Sequence, residues 1–289
     1  MCIRDSINGA DQEGAREPGN DYFYFNGGFA LLGEIVEKIS GKPFADYITE
    51  NILKPTGMIR ATFLEEAINQ DEDVMTAYYL DPQAKELKPS RHPFDELVFA
   101  AGGLLSSVEE LANYLLLCLH EGTFNGKTVV KAASFQEALK PHTSRPKGFF
   151  GEEYYGYGWG ITKDFFGETL IQHGGSTGVS SAHLALIPSK QLGAAMVANQ
   201  GGGAGSILCQ ALLAILLGKN PQTEHPFLVK ENKLNALVGE YATYKGINRI
   251  TIVKKGSMLY GENSELWISY PLIEESEKPD VFNFYTLVN

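Results

Sequence analysis

GYGWGITKDFFGETLIQHGGSTGVSSAHLALIPSKQLGAAMVA, residues 156–198, is the stretch that decides the fold. Residues 158–161 and 169–172 are short apolar runs joined by a turn around Gly167. Residues 181–187 form a third run, and Pro188-Ser189-Lys190-Gln191 turns it into a fourth, residues 192–198. Connections this short only reverse the chain, whereas a parallel crossover needs about a dozen residues or more. Four sequential strands of one antiparallel sheet are therefore expected.

Helical patterns lie on both sides of that stretch. Phe29, Leu32, Ile35, Val36 and Ile39 repeat at helical spacing, with Glu34, Glu37 and Lys38 on the other face and Gly41 placed for a C-terminal cap. A second helix starts near Pro43 and carries Phe44, Tyr47, Ile48 and Ile52 before Pro55-Thr56-Gly57 ends it. A third begins at Ser106-Ser107-Val108-Glu109-Glu110, which offers two registers for a capping box, and runs to about His120. A short helix is expected over residues 132–139. A longer one over 206–217 follows the flexible link Gly201–Gly205. Residues 61–98 have no sustained period and read as loops with short strands. Helices before and after an antiparallel sheet make an α+β plan, not a βαβ one.

The 289 residues suffice for one large or two smaller domains. Residues 219–232 (KNPQTEHPFLVKEN) read as a polar linker, and residues 233–289 as a small all-β, barrel-like domain built from EYATY, NRITIV, MLYGE, LWISYPLI and VFNFYTLV. A net charge of −11, with no basic cluster to offset it locally, argues against binding nucleic acid or an anionic membrane. The longest apolar run, residues 207–218, falls short of the ~18 residues of a membrane span. Cys118 and Cys209 lie in apolar helical stretches and read as buried small hydrophobes. The histidines show no zinc-ligand spacing, and GGGAG fits neither dinucleotide nor phosphate-loop patterns, so neither metal nor cofactor is expected.

Three groups of residues carry chemistry. Tyr24 stands just before the first helix; its phenol becomes a useful base only where positive charge lowers its pKa. Asn26 offers a donor and an acceptor to a substrate amide. His173 closes a strand, and Gly174-Gly175 lets a substrate lie against the strand edge without side-chain interference.

Taken with its neighbours, Tyr24 is not an isolated aromatic. PGNDYFYFNGGFALLGEIVEKISGKPFADYITENILKPTGM resembles the second active-site motif and following helices of the serine β-lactamase and penicillin-binding-protein superfamily, in its class-C-like branch. AAGGLLSSVEELANYLLL resembles that branch's next helix, and YGYGWG followed by HGGSTGVSS its third motif. The resemblance covers about residues 16–217. It implies a metal-independent serine hydrolase working through an acyl-enzyme on a small-molecule or peptide substrate. Tyr24 then matches the tyrosine that deprotonates the nucleophile, and Asn26 the asparagine that contacts the substrate amide. His173-Gly174-Gly175 matches the K-T-G triad, and the Ser176 backbone N–H forms half of an oxyanion hole. The resemblance also implies export from a bacterial cell and leaves oligomerisation open.

Two departures bear on substrate. His173 replaces the usual lysine, which suits esterase and peptidase members, and Phe25 fills a position that is usually small, where it can crowd the cleft. The family's Ser-x-x-Lys nucleophile motif is not found before Tyr24. The single match in the chain, Ser144-Arg145-Pro146-Lys147, contains proline and reads as loop. The expectation is a fragment beginning after the nucleophile helix and inactive alone, with residues 1–6 (MCIRDS) resembling an adapter-derived tail. Two alternatives stand beside this one: a non-catalytic binding or assembly module on the same fold, and an α/β-hydrolase whose nucleophile is Ser176 in Gly174-Gly175-Ser176-Thr177-Gly178. Residues 233–289 resemble a lipocalin-like barrel.

Overall fold

The computed structural model describes residues 21–263, 268–275 and 278–284. The expected tail over residues 1–6 lies outside them. The chain divides into two compact units, one reaching Leu217 and the other starting at Gly218.

Helix α1 spans Asn26–Ser40 and ends on Gly41 in the left-handed region. Helix α2 (Phe44–Ile48) continues through a π turn and a 3-10 turn to Gly57, again left-handed. Residues 61–98 hold a short helix, α3 (Glu65–Gln70), and a hairpin of β1 (Ala77–Leu80) with β2 (Leu87–Ser90). Helix α4 (Phe99–Gly102) follows. In helix α5 (Val108–Leu119) the capping register is settled: Ser107 Oγ accepts from the Glu110 N–H at 3.2 Å, while Ser106 Oγ donates to the Glu110 carboxylate at 3.3 Å. A small hairpin, β3 (Thr123–Phe124) with β4 (Lys127–Thr128), and helix α6 (Ala132–Ala138) lead to the main sheet.

That sheet has six strands, not four. They are β5 (Thr143–Gly148), β6 (Gly151–Tyr155), β7 (Gly160–Phe165), β8 (Glu168–Ser176), β9 (Ser181–Ile187) and β10 (Leu192–Ala198), all antiparallel to their neighbours, in spatial order β10-β9-β8-β7-β6-β5. The turn between β7 and β8 is Phe166-Gly167, with both residues at positive φ, the conformation that matches strand twist in a two-residue hairpin. Phe166 tolerates it because its ring is held at 5.2 Å from Phe150 and 4.9 Å from Phe165.

Alternate residues of the strands feed two cores, as a period of two requires. Phe165, Leu170, Ala185, Ile187 and Ala194 pack on Cys209, Leu213 and Ala214 of helix α7 (Ala204–Leu216). Trp159, Ile171 and Leu186 pack on Leu115, Cys118 and Leu119 of α5. Each fully buried leucine contributes roughly 1.5–3 kcal/mol. A third cluster gathers Ala45, Leu53, Met58, Ala61 and Phe63 beneath α2. The apolar stripe of α1 is not what docks it: Ile35 and Ile39 are exposed, whereas Gly33 lies so close to Ala100 that a Cβ would meet that residue's at 2.7 Å. The helix seats on its glycines.

In the second unit, the stretch expected as a linker is largely helical, with α8 (Pro221–Glu224) and α9 (Pro226–Ala236). Five strands then form a sequential antiparallel meander: β11 (Gly239–Ala242), β12 (Arg249–Lys255), β13 (Met258–Asn263), β14 (Ile268–Glu275) and β15 (Lys278–Phe284). Leu234 of α9 joins Leu259 and Leu272 in its core, and ion pairs Lys233–Glu274 and Lys254–Glu231 tie α9 to the sheet. Among the described residues, no helix is long and apolar enough to cross a membrane.

Candidate active site

His173 does not close its strand. β8 runs on to Ser176, and His173, Gly174, Gly175 and Ser176 pair with Leu184, His183, Ala182 and Ser181 of β9. On the opposite side β7 begins at Gly160, which pairs with Gln172. From His173 to Ser176 the β7-facing edge of β8 is therefore unpaired by that neighbour, and Gly174, Gly175 and Ser176 are exposed. A Cβ on Gly175 would meet nothing within 4 Å, whereas one on Gly174 would lie 2.4 Å from His183 Nδ1. The two glycines thus serve different ends: Gly174 admits a buried histidine and Gly175 leaves the edge clear.

Tyr24 and His173 come together from distant parts of the chain. Their rings stack with centroids 6.2 Å apart and planes at 28°. Tyr155, the last residue of β6, completes the cluster; its ring is edge-on to Tyr24 at 6.4 Å, and its Oη lies 3.0 Å from His173 Nε2. Tyr22 packs on Tyr155 at 5.3 Å, and the Arg145 guanidinium lies over Tyr22 and Tyr155. Asn26 is exposed at the first position of α1. Phe25 folds back on that helix, its ring tip 2.5 Å from where a Gly27 Cβ would sit.

Burial, and secondarily Tyr22, hold the Tyr24 phenol above its ordinary pKa. Tyr155 is raised further by burial and by its tyrosine neighbours, against an opposing pull from Arg145. His173 is lowered by burial and by the Arg145 charge, partly offset by a backbone hydrogen bond at Gly174. A neutral ring has one donor and one acceptor nitrogen, and Tyr155 Oη meets it at Nε2. Behind the strand, Gln172 Oε1 takes hydrogen bonds from Gln210 Nε2 (3.0 Å) and His183 Nε2 (3.2 Å). Burial and the nearby His173 depress His183 to about 4.

Sequence reasoning missed Tyr155, Arg145 and Tyr22. Tyr22 lies in the irregular segment before α1, and β5 and β6, which carry Arg145 and Tyr155, hold Pro146, Gly148 and Gly151 and show no apolar alternation. Ser144-Arg145-Pro146-Lys147 is not loop but strand β5, where residues three apart are separated by roughly 10 Å rather than one helical turn. Ser176 is not a nucleophile elbow either: Thr177 N–H bonds the Ser180 carbonyl at 3.0 Å, Gly178 takes φ +85°, and strand β9 follows where that reading requires a helix.

The family model described as beta-lactamase matches residues 8–215. The chain belongs to the beta-lactamase family. Within this family it is 34% identical to the octameric penicillin-binding protein homologue from Pyrococcus abyssi, with a TM-score of 0.87 over 99% of this chain and 64% of that one. Protein flp of Staphylococcus aureus is 25% identical over 63% of this chain and 34% of its own length. A D-aminopeptidase of Brucella anthropi is 38% identical over 56 residues, 19% of this chain and 11% of that one. The chain thus spans about a third or less of these curated relatives' lengths. Residues 221–289, which include the stretch resembling a lipocalin-like barrel, match the model described as the Pab87 octamerisation domain.

Proposed function

We propose that this beta-lactamase-family chain is the base and substrate-contact side of a serine hydrolase that cleaves amide or ester bonds of peptide-like or small ester substrates through an acyl-enzyme. The observation that carries the reading is the stacking of Tyr24 on His173 beside the open edge of β8. In this reading Tyr24 takes the nucleophile's proton and returns it to the leaving group, and Asn26 holds the substrate amide. Gly174 and Gly175 let the substrate lie along β8. The Ser176 backbone N–H stabilises the oxyanion, a contribution that can reach ~3 kcal/mol. Similarity to a D-aminopeptidase favours amide-bearing substrates.

Both influences on Tyr24 raise its pKa, so it becomes a base only when a cation is brought beside it. In the family pattern that cation is the lysine of Ser-x-x-Lys, a pair the described residues do not present on a helix. The 289-residue chain is therefore expected to leave nitrocefin and p-nitrophenyl esters uncut, and turnover lost in Ser144→Ala would overturn this. The test of the reading itself is a fluorophosphonate or penicillin label on the longest protein that the gene encodes. Covalent labelling should fall on the order of a hundredfold in Tyr24→Phe; labelling undiminished by that change would remove Tyr24 from the role.

The raised Tyr24 also favours a second reading, a non-catalytic binding or assembly module, for which no label would form on any version of the protein. The octamerisation-domain match supports assembly into an octamer under either reading. Light scattering that returned a monomer would count against it.

A further inference from the structure

Gly201 lies in a strap, residues 199–203, that leads from β10 into α7. The strap presses on the turn of residues 177–180 between β8 and β9. A Cβ on Gly201 would stand 2.4 Å from the Gly178 carbonyl oxygen, 2.5 Å from its carbon and 2.7 Å from Gly178 Cα. All three are backbone atoms, which cannot swing aside as the end of a side chain can. The φ of Gly201 lies outside the left-handed region, so space and not conformation excludes a side chain. Gly202 and Gly203, next along the strap, have nothing within 4 Å of a Cβ.

The same turn is tied from two further directions. The Tyr78 N–H of β1 is shared between the Asn199 carbonyl at 2.8 Å and the Val179 carbonyl at 3.3 Å. Ser181 Oγ donates to the Gln200 carbonyl at 2.9 Å. The strap itself is fastened at both ends. Ala198 pairs with Ser181 at one, and at the other Gly205 of α7 seats so closely that a Cβ would lie 2.5 Å from Met196 Cε.

What the turn controls is Ser176. The Thr177 N–H bonds the Ser180 carbonyl across the turn. Hydrogen-bonded and non-hydrogen-bonded pairs alternate along an antiparallel ladder, so Ser176 and Ser181 form a non-hydrogen-bonded pair. The Ser176 N–H therefore points away from β9, out of the open edge. Since β7 pairs with β8 only as far as Gln172, that neighbour does not fix Ser176 from the other side.

We infer that Gly201 is a positioning residue for the proposed hydrolase: its contact with Gly178 pins the turn, and the pinned turn holds the Ser176 N–H in one place on the open edge of β8. The oxyanion at that place rests on the hydrolase reading; the pin rests on the strap alone. Gly201 itself touches no reacting atom. The first glycine of GGGAG is then more than part of a link, because only a residue without a side chain lets the strap reach the turn.

The test is Gly201→Ala, read in two ways. In the 289-residue chain, hydrogen exchange followed by mass spectrometry should show residues 77–80 and 177–182 exchanging on the order of tenfold faster, with residues 160–172 unchanged. Gly202→Ala, whose methyl meets nothing, should change neither. In the longest protein that the gene encodes, the maximal rate of fluorophosphonate labelling should fall on the order of tenfold in Gly201→Ala, because the oxyanion donor is displaced. The reagent concentration giving half that rate should hardly change. A variant that was merely less stable would lose labelled fraction and keep its rate. Unchanged exchange in Gly201→Ala, or an unchanged maximal rate in a variant whose turn exchanges faster, would overturn the inference. Should Gly201→Ala not fold, Ser181→Ala removes one tie and adds no bulk; the same changes, smaller, are expected of it, and their absence would overturn the inference equally. Failure of the hydrolase reading shows separately, as no label on any version of a protein whose turn still loosens in Gly201→Ala.

Discussion

Tyr155 Oη lies 3.0 Å from His173 Nε2, so the last residue of β6 holds a histidine two strands away. Burial and the Arg145 charge favour the neutral His173 ring, which has one unprotonated nitrogen able to accept from a phenol. A phenol that donates to Nε2 stabilises the neutral ring.

Removing that phenol should make His173 easier to protonate. In Tyr155→Phe the His173 titration, followed by NMR of the imidazole protons, should move upward towards the ordinary value, with a stability loss of about 1 kcal/mol. A titration that stays in place or moves down would show that Nε2 is the donor.

His183 sets a pH dependence of known sign. Its folded pKa is depressed from 6.5 to about 4, so the folded state prefers the neutral ring. Its contribution is intact above the unfolded value of 6.5 and is lost as pH falls from there towards about 4. Urea denaturation at about pH 5 rather than pH 7 should show a loss of about 2 kcal/mol from this group, and His183→Gln should flatten the profile. His173 and His225 are lowered too and act in the same direction, so some slope should persist. An unchanged profile in His183→Gln would assign the whole slope to them.

Gly174 and Gly175 make a matched pair. A methyl on Gly174 would meet His183 Nδ1 at 2.4 Å, and Gly174→Ala should destabilise by about 1–3 kcal/mol in chemical denaturation. A methyl on Gly175 points into open space, so Gly175→Ala should cost about 0.5 kcal/mol or less while weakening peptide binding along β8. Equal costs for the two would mean that His183 yields freely.

Leu213 is fully buried where α7 meets the sheet. Leu213→Ala should destabilise the first unit by about 3 kcal/mol through lost burial and the cavity left behind. A loss below about 1 kcal/mol would mean that α7 collapses onto the gap.

Much of the site's frame was legible in the residues. The limits of β9 and β10 coincide with the apolar runs at 181–187 and 192–198, and α1 starts at Asn26 beside Tyr24. The linker expectation failed for a local reason. The stretch is polar and carries two prolines, but Pro221 and Pro226 each stand at the start of a helix, where the missing N–H has no partner to lose. The outer strands β5 and β6 were missed because their polar, glycine- and proline-bearing residues show no two-residue alternation.

By themselves, residues 156–198 determined an antiparallel sheet and the helical patterns on either side of them its flanking helices, because alternation and turn residues act over a few positions. The hydrolase-like cleft was implied only by the family resemblance that Tyr24-Phe25-Asn26 and His173-Gly174-Gly175 carry. What stands around His173 was decided only by the tertiary structure. Pairing of β5 with β6, and of β6 with β7, carries Arg145 and Tyr155 to the end of β7, where the edge of β8 opens. No local spacing records that meeting. It follows from strand order and from where β7 begins, and these are set by the packing of the whole sheet between α5 and α7.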